Sequence, residues 1–142
     1  MAKLHSLIKF KRHELDDKRQ LLAKLNDALD RLRGQKQQLL DDLAHEKNLA
    51  AVDIDTARGF APFLKKTLAR ITELDEFIRE KQREIQAATH VVQEAYLEVK
   101  KLEITQERSD DTEESRLKRI EANNLDEMGI ESFRRGQEEG RV

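Results

Sequence analysis

Aliphatic residues return at every seventh position of this chain, and few sequence patterns constrain a fold so tightly. With Ile8 taken as an a position, the series runs Ile8, Leu15, Leu22, Leu29, Lys36, Leu43 and Ala50. The matching d positions are Leu4, Lys11, Lys18, Leu25, Leu32, Leu39 and Glu46. Ten of these fourteen positions are apolar, so one face of a long helix needs a partner. Lysines in such a seam can lay their methylene stems over apolar surface while the ammonium stays in water. Gly34 weakens the run locally, by about 1 kcal/mol relative to Ala.

A second register follows, with Leu64, Ile71, Ile78, Ile85, Val92 and Val99 at a and Thr67, Leu74, Lys81, Ala88, Ala95 and Leu102 at d. Small Ala88 and Ala95 allow a close approach of a facing helix. Between the two registers lies Ala57-Arg58-Gly59-Phe60-Ala61-Pro62, which contains the only proline of the chain. Gly suits the residue just past a helix and Pro the first turn of the next. The expected elements are therefore helix one over about residues 3–57, a turn over about 58–62, and helix two over about 62–130. Each helix would span on the order of 80 Å or more at about 1.5 Å per residue.

A short connection between long helices favours antiparallel packing. The predicted fold is all-α: a long two-helix antiparallel coiled-coil hairpin over residues 1–135, with an overhanging C-terminal helical segment. A turn near Gly59 sets residue i opposite about residue 119 − i, so Met1 faces about residue 118. Residues 1–20 carry six basic and three acidic side chains, and residues 98–115 carry seven acidic and three basic ones. Their juxtaposition would help to specify direction. The clean register fails at Gln106, Ser109 and Glu113, and apolar spacing resumes at Leu117, Ile120, Leu125, Met128 and Phe133. The last residues, 136–142, read as a disordered tail.

Composition supports the helical reading and removes most chemistry. Charged residues make up 39% of the 142 and aromatic residues only 4%, which suits a coiled coil better than a globular core. The 27 basic and 29 acidic side chains nearly cancel, giving no whole-chain attraction to nucleic acid. Cysteine is absent, and the four histidines are scattered without metal-ligand spacing. No phosphate-binding loop, dinucleotide fingerprint or nucleophile elbow occurs, and a hairpin offers no concave site for shifting a catalytic pKa. No enzyme activity, cofactor or metal is expected. No signal-peptide core or membrane-length apolar run is visible, so a cytoplasmic protein without membrane insertion is expected.

Three groups remain as candidate contacts. Lys9, Lys11, Arg12, Lys18 and Arg19 form a basic cluster without the aromatic interleaving of a nucleic-acid surface; a solvated, internally paired helix end is the plainer reading. Phe60, Phe63 and Leu68 lie near the expected turn, and Leu40 and Phe77 further along, roughly opposite one another; they either widen the seam or cap the tip, or they offer a docking patch. Leu125, Met128, Ile130 and Phe133 have no partner within the hairpin and pose the same alternative.

The opening Leu4 to Gln20 stretch and the closing run Leu125-Asp126-Glu127-Met128-Gly129-Ile130-Glu131-Ser132-Phe133-Arg134-Arg135 resemble the FliJ family of flagellar export proteins, which includes the injectisome proteins related to YscO. The resemblance implies a stalk-like coiled coil, monomeric when free, at the cytoplasmic face of the inner-membrane type III export apparatus. Its implied partners are a hexameric FliI-like export ATPase, an FlhA-like export-gate protein and export chaperones. Carried onto this chain, the ATPase contact falls on Lys9, Lys11, Arg12, Lys18 and Arg19 with residues 117–133. The gate contact falls toward Phe60, Phe63, Leu68 and Phe77. A free-standing helical chaperone or a scaffold unrelated to export is the alternative.

Overall fold

The computed structural model describes residues 2–139. Two helices account for nearly all of them: α1 (Ala2–Ala50) and α2 (Ile54–Glu139). They pack against each other as a helical hairpin, and no strand occurs among the described residues.

The connection is not where the Gly and Pro residues suggest. It is the three-residue link Ala51, Val52 and Asp53. The amides of Val52 and Asp53 both donate to the Leu49 carbonyl, at 3.1 and 2.9 Å, and close the last turn of α1. Asp53 then caps α2. Its carboxylate accepts from the Asp55 amide at 3.2 Å and the Thr56 hydroxyl at 2.8 Å, while its carbonyl accepts from the Ala57 amide at 3.0 Å. Such a cap satisfies amides that the first turn of a helix otherwise leaves unpaired. Asp55, also in that turn, suits the positive end of the helix dipole.

The expected turn at 58–62 is thus corrected: Gly59 and Pro62 lie inside α2. Gly59 does not take a positive φ, so its special freedom is unused. Proline in a helix interior costs about 3 kcal/mol through a lost bond and a steric clash. At exposed Pro62 water can serve the orphaned carbonyl, and the capped start and half-buried Phe60, Phe63 and Leu64 hold the helix around it. α2 also runs past the expected end at 130. Of the expected disordered tail, residues 136–139 belong to α2, and residues 140–142 lie outside the described residues.

The described residues form two compact units, Lys11–Leu97 and the combination of residues 2–10 with residues 98–139. In the first, the seam is the predicted one. Leu15, Leu29, Ile71, Leu74, Ile78 and Ala95 are buried, as is Thr67, and the remaining a and d positions from Lys11 to Ala95 are half-buried. Phe60 extends the d series of α2 one heptad toward the turn. Lys36, a charged a residue, reaches across to Asp75 at 2.7 Å, with both side chains 35% exposed. Such a pair contributes modestly to stability, below about 1 kcal/mol, but favours one alignment of the helices.

In the second unit, Ile8 and Val99 are buried at 2% and 3% exposure, with Leu4 and Leu102 half-buried beside them. Gln106 and Ser109 occupy the next a and d positions and are still half-covered, although they are polar. From residue 110 to residue 137 every side chain is exposed. The overhang therefore begins near 110 and not near 118, because the connection lies closer to the N-terminus than Gly59 and every pairing shifts with it.

Candidate partner-binding surfaces

The basic cluster divides along the heptad. Lys11 and Lys18 are d residues, half-buried, with their stems on the seam. Lys11 donates to Glu14 at 3.1 Å, and Arg19 lies 3.7 Å from Asp16. Lys9, Arg12 and Arg19 are exposed. The charge match expected across the hairpin is only partly present. Residues 98–109 hold Glu98, Glu103 and Glu107 against Lys100, Lys101 and Arg108, a balanced set. The acidic run Asp110, Asp111, Glu113 and Glu114 lies in the exposed overhang.

The apolar candidates on α2 do not make one patch. Phe60 is half-buried within the seam, as a further d residue, and Phe63 is half-buried beside it, which favours the seam-widening reading for Phe63. Leu68 and Phe77, at 47% and 45% exposure, stand at e and g positions and so flank the seam on opposite edges. Phe77 shares a shallow interhelical hollow with Leu32, Glu80, Lys81 and Glu84, so the expected pairing of Phe77 with Leu40 is corrected. The tip itself presents Val52 and Ile54, 84% and 73% exposed, two residues that the sequence reading passed over because it placed the turn elsewhere.

The overhang carries the largest uncovered set. Leu117, Ile120, Leu125 and Met128 follow i, i+3, i+8, i+11 spacing and share one helix face, at 50%, 44%, 68% and 64% exposure. Ile130 and Phe133, equally exposed, fall toward the opposite face. Of the four C-terminal candidates, the helix therefore unites Leu125 with Met128 and separates Ile130 and Phe133 from them. Surface pairs stiffen this segment: Arg116 to Glu113 at 2.8 Å, Lys118 to Glu114 at 3.2 Å and Arg135 to Glu131 at 2.9 Å. The hydrogen bond from Arg116 to Glu113, followed by their charge attraction, raises the pKa of the guanidinium.

Among the described residues no His, Asp and Glu cluster could hold a metal ion, and no helix is long and apolar enough to cross a membrane. Large apolar side chains are left exposed on these surfaces, Val52, Leu68, Phe77, Leu125 and Phe133 among them. The family model described as Flagellar FliJ protein matches residues 1–138. No curated protein and no solved structure matches the chain.

Proposed function

Because this chain belongs to the flagellar FliJ protein family, and so has a role related to flagellar export, we propose that it acts as a stalk that engages the export ATPase ring. The overhang of α2 is the contacting element, through Leu117, Ile120, Leu125 and Met128 with the charged residues around them. The observation that carries this reading is the exposed apolar face of a helical segment that α1 does not cover, in a chain matched by the family model almost throughout. Lys9, Arg12 and Arg19 add basic charge on α1. ATP chemistry belongs to the partner. The stalk favours one arrangement of the ring only by the difference in its contact energy with the alternatives.

The export gate is assigned to the α2 edges that carry Phe63, Leu68 and Phe77, and export chaperones to the same general surface of the hairpin. The working location is the cytoplasmic face of the export apparatus.

Replacing both Leu125 and Met128 by Glu should leave the helix content and melting point near wild type, since both side chains are exposed. The same variant should lose capture of the cognate export ATPase in a pull-down and lose swarming motility in cells that lack the native protein. Undiminished capture and motility would refute the assignment of the overhang. Capture of chaperones alone, with neither ATPase nor gate bound, would favour the free-standing chaperone reading.

A further inference from the structure

The seams of α1 and α2 are in phase with each other. Ala50 and Leu64 are both a residues and lie two whole heptads apart, with Asp53 and Phe60 at d and Ala57 at a between them. A chain that only turns back needs no such agreement, since each seam has merely to face the other. One uninterrupted helix through residues 50–60 would carry a single stripe from α1 into α2.

Within the hairpin, part of this stripe is uncovered. Residue i of α1 meets about residue 110 − i of α2: Lys36 pairs with Asp75, and Leu32 shares its hollow with Phe77. By that rule the last layer is Ala50 with Phe60, both half-buried, and residues 51–59 have no mate in their own chain. Asp53 and Ala57 are exposed although they hold seam positions, and Ile54, beside them at e, is 73% exposed.

The backbone of the connection is already close to helical. The Asp53 amide donates to the Leu49 carbonyl at 2.9 Å, and the Asp53 carbonyl accepts from the Ala57 amide at 3.0 Å, both in the i to i−4 pattern of an α-helix. No described residue there takes a positive φ, and neither Gly nor Pro occurs from residue 35 to residue 58. We infer that Ala51–Asp53 straightens when chains fold at high concentration, and that two copies then exchange helices, α1 of each packing on α2 of the other. The two-fold axis passes near Asp55. Asp53 of one copy enters a layer with Ala57 of the other, and Ile54 meets Ile54 of the second copy across the axis. The seam layers from Ala50 and Phe60 outward recur between the copies, which makes a short hinge of this kind prone to exchange.

Asp53 opposes the exchange. Its cap exists only in the hairpin, and in the dimer its carboxylate enters the seam close to its counterpart. The hairpin also keeps the advantage of an intramolecular pairing, so concentration decides between the two forms.

The chain has no cysteine, which makes the test direct. Full-length Lys36→Cys and Asp75→Cys chains are unfolded together, refolded at high concentration and treated with a short bismaleimide. They should cross-link to each other, because the exchanged dimer sets position 36 of one copy against position 75 of the other. The same chains folded separately and then mixed should not. Neither should either variant alone, since its two equivalent positions lie about 55–60 Å apart along the dimer. Inserting Gly-Gly between Val52 and Asp53 of both chains puts the seams out of phase; it should abolish the product and leave the hairpin's melting point nearly unchanged. By sedimentation equilibrium, Asp53→Leu should raise the dimer association constant about tenfold or more, because the hairpin loses its cap and the dimer gains apolar contacts. No mixed cross-link even with Asp53→Leu in both chains, a cross-link that survives the Gly-Gly insertion, or an Asp53→Leu chain no more dimeric than wild type would each overturn the exchange.

Discussion

Asp53 and Gly59 are six residues apart, and the difference in their roles decides where the chain reverses. Asp53 supplies two side-chain hydrogen bonds and one backbone bond to the start of α2. Asp53→Ala should lower stability by about 1 kcal/mol in urea denaturation, the usual effect of removing an N-cap. Gly59 has helical geometry, and a methyl group added there would meet nothing within 4 Å. Gly59→Ala should therefore raise stability by about 0.5–1 kcal/mol, whereas a left-handed turn glycine would respond with a loss. The cap was legible as Asp53-Ile54-Asp55-Thr56, and so was the continuation of the second register back to Phe60. Gly59 and Pro62 are the stronger punctuation in general. Here they are overridden because an exposed proline removes one backbone bond, whereas breaking α2 at that point would also forgo the cap and the packing of Phe60, Phe63 and Leu64.

Each helix is governed by its seam. Leu74, 1% exposed, is among the most deeply buried side chains, and Leu74→Ala should cost about 2–5 kcal/mol, read as a lower denaturation midpoint by circular dichroism. Leu125→Ala, at a residue 68% exposed on the same helix, should change the midpoint hardly at all. The contrast separates residues that hold α2 in place from residues that α2 displays. The heptad was fully readable because it depends only on period: Lys11, Lys18, Lys36 and Thr67 occupy covered positions despite their polarity. Candidate contacts were less readable. Phe63, Leu68 and Phe77 are close in sequence, but their e and g placement sets Leu68 on the other edge from the two phenylalanines.

For the molecule as a whole, the length of the overhang follows from the place of the turn. Residues 110–137 are exposed throughout and add little to the packing of α1 on α2. Truncation after Ser109 should leave the melting point within about 4 °C of wild type, equivalent to less than about 1 kcal/mol, while ATPase capture is lost. A large fall in melting temperature would mean that the segment folds back onto the hairpin. Periodicity by itself determined that this chain makes two long helices and which side chains face inward, because a seven-residue repeat can bury its apolar stripe only against another helix. Only the tertiary structure decided which residue lies opposite which. Pairing depends on where the chain reverses, and a shift of a few residues in the connection moves every facing pair while leaving each helix's own pattern untouched. That shift is what places Lys36 against Asp75, sets Phe77 beside Leu32 and leaves Asp110 and the residues after it beyond the reach of α1.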